Sequence, residues 1–346
     1  MLRQVWLYGR ILIGVALGVG VAFIIVREVQ WTELLNQLAA FNWFLMIPVM
    51  GVVVASNTVR ALRWRMLFHG RAPTATLLFF VENTGQGLNN LSPIRVVAEP
   101  IQFGYIALRE GYERGAVLAS IVLGRVSDLA ITLGSLALGF AIFAPEGAGY
   151  LSVIILVLVG ILVSVAVLSL FTHRITWFER FPVVRTYSAA WQELIAQPGK
   201  LASVMGVTLA TWMTLGLAAY LVALSKGLEP NNSQNPVEIY VIIYVVVLGT
   251  MTLGAVLPGL PSAIGPFEAA AVAFLGFYGV DKEVALAFGL IIHAAFFIPP
   301  IIIALGTLIM FGPPWSTTHR VRRLRRERRE ARRSSAARRV AQEGDL

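Results

Sequence analysis

Five ionisable residues stand where charge is expensive: Arg95, Glu99, Arg125, Asp128 and Glu268 all fall inside or beside long apolar runs. A charge at membrane depth costs from about 3 to more than 10 kcal/mol depending on the reference scale, so such groups pair or serve a ligand. Arg95 and Glu99 are four apart and Arg125 and Asp128 three apart, spacings that bring both members of each pair to one helix face. Glu268 follows a Gly-Pro step and reads as part of the first turn of a helix, where the positive dipole end favours a carboxylate. Guanidinium groups suit phosphate, and neighbouring acids balance them when no anion is bound. Each residue also has a plain structural reading. Arg125 with Asp128 could be a self-neutralised brace, Glu99 and Glu268 could be helix caps, and His293 a packed neutral histidine. Arg60, Arg63, Trp64 and Arg65 read most simply as anchors at the cytoplasmic end of a span.

The elements that must hold these residues are membrane helices. Of 346 residues 57% are apolar, and only 28 are basic and 19 acidic. Eleven of the basic residues are arginines crowded, with 4 acids, into residues 317–346, which leaves a nearly neutral body of 17 basic and 15 acidic groups. A bilayer core needs about 20 apolar helical residues. Six runs meet this: 6–26, 42–62, 116–143, 150–171, 200–224 and 284–311. The first follows Arg3 and Arg10 but lacks a small-x-small cleavage site, so it reads as a retained span. Two more stretches, 76–108 and 237–278, are apolar yet broken near their middles, by Asn89, Asn90 and Pro93 in one and Pro258, Gly259, Pro261 and Gly265 in the other. Backbone that leaves the helix at membrane depth survives only where protein buries it or water reaches it, so the breaks imply a cavity. A helix restarting beyond each proline offers free N–H groups to an anion.

The two broken stretches align weakly: Leu91 with Leu260, Glu99 with Glu268, Gly111 with Gly279, and Arg125 with His293. Three full spans lie between them, so the second copy enters from the opposite face, which is the inverted repeat of many transporters. The expected fold is an all-α polytopic membrane bundle of about six full spans and two re-entrant or twice-crossing helix pairs. Short connections rich in arginine (residues 1–10, 60–71 and 172–198) place both termini in the cytoplasm of a multi-pass cell-membrane protein. Residues 1–315 form the membrane domain, and the arginine-rich 316–346 tail suits adhesion to an anionic leaflet, with no base-reading fold for nucleic acid.

Enzyme signatures such as H-E-x-x-H, G-x-S-x-G or a P-loop are not found. Zero cysteines and four scattered histidines leave no expected metal centre, and no cofactor is expected.

In order and spacing, Arg60, Arg63 and Trp64, then Asn90, Pro93, Arg95 and Glu99, then Arg125 with Asp128, then Pro258, Gly259, Gly265 and Glu268 resemble the flippase-like membrane domain of lysylphosphatidylglycerol synthases and its stand-alone relatives. The likeness covers roughly residues 8–312. It departs where Val97 and Ala98 delay the acid to Glu99 and where Gly124 replaces an acid before Arg125. The resemblance implies lipid translocation by a bundle with two re-entrant elements. It carries no soluble aminoacyl-transfer domain, so synthesis of lysyl-phosphatidylglycerol is not expected. The expected substrate is an anionic phospholipid or polyprenyl-linked phosphate, bound by Asn89, Asn90, Pro93, Arg95, Glu99, Arg125, Asp128, Pro258, Gly259, Gly265 and Glu268. A non-transporting lipid-binding scaffold or partner of a cell-envelope glycosyltransferase is the alternative, and a homo-oligomer is left open.

Overall fold

The computed structural model describes residues 20, 27, 29–68, 70–92, 97–143, 189–194, 196–256 and 261–314. Outside them lie the expected spans at 150–171 and, apart from residue 20, at 6–26, the arginine-rich tail, and the candidate site residues Pro93, Arg95, Pro258 and Gly259.

Every regular element among the described residues is helical. In chain order these are α1 (Trp31–Ala39), α2 (Met46–Met66), α3 (Ala75–Leu91), α4 (Ala98–Phe103) running into a π-helical turn (Gly104–Arg109), α5 (Arg114–Phe143), α6 (Pro198–Ser225), α7 (Pro236–Val256), α8 (Pro266–Phe277) and α9 (Lys282–Phe311). Four of them, Trp43–Met66, Arg114–Gly139, Pro198–Ser225 and Lys282–Phe311, are long and apolar enough to cross a bilayer. The protein is an all-α polytopic membrane protein.

Contacts between helix ends fix the topology. At one end of the bundle Gln30 N–H donates to Glu283 (3.3 Å), Lys226 Nζ to Gln37 Oε1 (2.8 Å) and Asn231 N–H to the Tyr278 carbonyl (2.8 Å). These bonds collect α1, the end of α6, the end of α8 and the start of α9. At the other end Tyr105 O–H and Arg109 Nη1 donate to the Gly312 carbonyl at 2.6 and 3.2 Å, and Arg71 lies over the Tyr112 ring. These collect the end of α2, the start of α3, the π-helical turn, the start of α5 and the end of α9. The first broken stretch therefore enters and leaves at one end, and the second at the opposite end. Both are re-entrant hairpins, each with a long arm (α3, α7) and a short one (α4, α8).

Their tips touch: Ser262 Oγ, in the turn before α8, donates to the Asn90 carbonyl in the last turn of α3 at 2.7 Å. Units α2–α5 and α6–α9 are thus inverted copies. Long arms α3 and α7 enter from opposite ends, and the central helices α2 and α6 run antiparallel, joined by Ser56 Oγ donating to the Thr211 carbonyl at 2.8 Å. The joints between short arm and following span match as well. Gly111 (φ 76°) and Gly279 (φ 74°) both take the left-handed conformation that glycine adopts without penalty.

Inside a bilayer the helices gain little from hiding apolar surface from one another, so close backbone approach over small residues carries the packing. Gly139 lies against Val245, Gly216 against Tyr244 and Gly249 against the Phe274 ring, each at distances that leave no room for a methyl group. Gly87 of α3 sits on the Pro300 backbone of α9, where Pro299 and Pro300 lie within the continuous helix.

Candidate functional site

A stripe of polar side chains runs along one side of α2, with Asn57, Arg60 and Arg63 three residues apart and Ser56 beside Asn57. The stripe faces inward. Asn57 donates to Asn83 Oδ1 on α3 at 2.8 Å, and Arg63 is only 4% exposed. The Arg63 guanidinium grips Asp128 of α5 in a bidentate fork, with Nη2 3.0 Å from Oδ2. Trp212 Nε1 of α6 donates to the same carboxylate at 3.2 Å. A buried ion pair needs this surplus of hydrogen bonds to offset its desolvation. Arg60 lies 3.9 Å from Glu82 and 5.5 Å from the centre of the Trp212 ring. Glu82 is in turn held by Gln86 (2.8 Å) and by Gln102 of the short arm (2.7 Å).

Arg125 and Glu99 complete the cluster. Arg125 Nη2 is 2.6 Å from Glu99 Oε1, and the two side chains are 48% and 37% exposed. The anchor reading of Arg60 and Arg63 is therefore corrected, because both point into the bundle while Arg65 alone stays outside. The pairing is redrawn too. Asp128 belongs to Arg63, and Arg125, one turn earlier in α5, reaches across to the re-entrant arm. Glu82 carried no signal in the sequence reading, since it sits singly in an apolar run. The polar stripe of α2 was the clue to Arg60 and Arg63, because headgroup anchors need not repeat on one face.

Arg60, Arg63, Trp64, Glu82, Gln102, Ile121, Gly124, Arg125 and Asp128 line a small pocket that is open on one side. The Nε–H groups of Arg60 and Arg63 are buried without an acceptor. Asn89 and Asn90 act at the break instead: Asn89 Oδ1 accepts from Val97 N–H at 3.3 Å, and the Asn90 carbonyl accepts from Ser262. Among the described residues no cluster of His, Cys, Asp or Glu could hold a metal ion.

A second constellation occupies the other repeat. Gly265 (φ 95°, ψ −70°) opens α8 in a backbone conformation that side chains disfavour, and its N–H donates to Glu268 Oε2 at 2.7 Å. The other oxygen, Oε1, meets His293 Nδ1 of α9. Glu268 and His293 are 6% and 7% exposed, and Phe267 and Phe297 flank the imidazole at 4.5 and 4.2 Å between ring centres. Glu268 thus caps its helix, as its plain reading held, and with its second oxygen also makes an inter-helix contact. The repeat alignment of Glu99 with Glu268 and Arg125 with His293 reappears as two equivalent bonds, each from the acid of a short arm to a base on the next long helix.

The model of a family described as the lysylphosphatidylglycerol synthase TM region matches residues 11–304. The chain belongs to this family. The match takes in every helix named above except the last turns of α9, and it concerns a transmembrane region. No curated protein matches the chain. Within this family member the two constellations lie in opposite repeats, so the eleven expected site residues divide. Glu99, Arg125 and Asp128 gather in one cluster, Gly265 and Glu268 in the other, and Asn89 and Asn90 sit where the hairpin tips meet.

Proposed function

We propose that this protein carries the phosphate-bearing headgroup of an anionic phospholipid or polyprenyl-linked phosphate between leaflets, along the faces of the two re-entrant hairpins. The observation that carries the reading is the pair of buried Nε–H donors, on Arg60 and Arg63, left without an acceptor in a pocket inside a membrane bundle. A buried unsatisfied donor costs about 1–3 kcal/mol, which an anionic oxygen would recover. Arg125 is the entry group: half exposed at the rim, it exchanges Glu99 for phosphate, and Glu99, on the short arm, is released with that arm. Asp128 stays on Arg63 and keeps the pocket from being permanently anion-filled. This division of labour is that of a carrier, with no bond made or broken in the substrate. The end that bears Arg65, Arg71 and Arg114 faces the cytoplasm on this reading, with both termini on the same side and residues 316–346 against the inner leaflet.

The test is exchange of labelled phosphatidylglycerol between leaflets of proteoliposomes. Arg125→Ala is expected to slow exchange by about tenfold or more, the value of one charge-assisted hydrogen bond. Its melting temperature should hardly change, since exposed ion pairs contribute about 1 kcal/mol or less. A wild-type rate in Arg125→Ala overturns the role of that residue, and tight lipid binding without exchange by the wild-type protein favours the scaffold reading.

A further inference from the structure

The inverted repeat holds a permanent cation, Arg125, in one copy and a titratable base, His293, at the equivalent place in the other. That substitution marks the two halves as chemically different. His293 Nδ1 is bonded to Glu268, whereas Nε2 is buried with no partner. An imidazole nitrogen in that position is unsatisfied whether it carries a proton or a lone pair, so the closed packing of α8 on α9 is a state in which neither form is at rest. Moving α8 away admits water to Nε2, and a proton can then bind there. A proton bound there makes the contact an imidazolium–carboxylate pair.

We infer that the Glu268–His293 pair is a proton-binding site and that proton uptake there accompanies entry of an anionic headgroup, making the protein a proton–lipid symporter. The inference rests on the carrier reading given above and assigns its driving ion. The coupling is mechanical as well as electrostatic. Glu268 fixes Gly265 and hence the start of α8, and Ser262, three residues before Gly265, holds the tip of the first hairpin through Asn90.

Histidine is the side chain whose ordinary titration range spans physiological pH. Apart from Tyr278, the buried ionisable groups that face this pair's neighbouring elements have partners of their own. Glu82 on α3 holds Gln86 and Gln102, and Arg60 and Arg63 on α2 face Glu82 and Asp128. Tyr240 and Tyr244 on α7 bond the Met213 carbonyl and Ser135, and Glu238, at the first turn of α7, bonds Ser233. Glu33 on α1 and Glu283 at the start of α9 bond Gln37 and Gln30, and Lys200 on α6 bonds Glu193. The phenol of Tyr278, which ends α8, is buried and unpartnered and is the remaining titratable group of that arm.

Two measurements on the full-length protein decide the matter. In nanodiscs, ¹⁵N-histidine spectra recorded over a pH series, with His293→Gln to assign the signal among the four histidines, should show a proton binding at His293 Nε2 as the pH falls. In proteoliposomes, exchange of labelled phosphatidylglycerol should rise about tenfold from pH 8 to pH 6, as one titrating group allows. His293→Arg, which installs the cation of the other repeat, should make exchange independent of pH. His293→Gln should do the same, and serves if the arginine variant does not fold. A His293 signal that does not move, or variants that keep the wild-type pH profile, overturns the proton site. Absence of exchange at every pH sinks the carrier reading instead, whereas brisk exchange indifferent to pH sinks only the coupling.

Discussion

Arg63→Ala is expected to be the most destabilising charge deletion in the protein, lowering stability by about 3–5 kcal/mol, because it leaves the Asp128 carboxylate buried with only an indole donor. Thermal unfolding in detergent micelles or nanodiscs should report this as a large fall in melting temperature and in the yield of monodisperse protein. The same physics makes a second, opposite forecast. Replacing both partners with apolar residues of similar size, Arg63→Met with Asp128→Leu, removes the stranded charge as well as the pair, and most of the stability should return. Lipid exchange should not return with it, because one of the two unsatisfied pocket donors is gone. A single Arg63→Ala protein as stable as wild type would show that the fork does not brace α2 to α5.

Gly87→Val should be comparably damaging for a different reason. A Cβ at this position would lie 2.3 Å from the Pro300 carbonyl oxygen and 2.7 Å from the Ala304 methyl. The first of these is backbone, so no side-chain rotation relieves it, and α3 must move away from α9. Overpacking of this kind costs about 3 kcal/mol or more when backbone has to shift. Gly51→Ala on α2 is the matched control: nothing lies within 4 Å of its added methyl, and the gain in helix propensity is up to about 1 kcal/mol. Size-exclusion profiles and melting curves of the two variants side by side test the pair of forecasts. If Gly87→Val behaves like Gly51→Ala, the contact of α3 with α9 is looser than described.

Much of this architecture was legible in the chain. Apolar run length gave four of the described spans, and proline with glycine in the two broken stretches gave the re-entrant tips. The weak alignment of Glu99 with Glu268 and Arg125 with His293 gave the repeat. Whether each break returned or crossed again was not legible, because hydropathy is the same either way, and it took the bonds of Tyr105 to Gly312 and of Tyr278 to Asn231 to decide it. The pairing of charges was missed for a similar reason. Spacing along one helix predicts neighbours on its face, so Arg125 was matched with Asp128. Long guanidinium side chains instead reach across to the helix opposite, where Glu99 and Asp128 found partners from other elements. Glu82 stayed invisible because no basic residue lies near it in sequence: Gln86 is its one local hydrogen-bond partner, and its contacts with Gln102 and Arg60 lie 20 and 22 positions away.

The likeness of the two halves also supplies something the single structure lacks. In the half built from α2 to α5 the acid–base contact is half open and borders a pocket, whereas its counterpart between α8 and α9 is shut. On the carrier reading proposed above, exchanging the two conformations between the halves would give the oppositely facing protein. In that state Glu99 and Arg125 would be sealed beneath their neighbours and Glu268 and His293 would stand apart, with the left-handed joints at Gly111 and Gly279 as the matched places for the chain to bend.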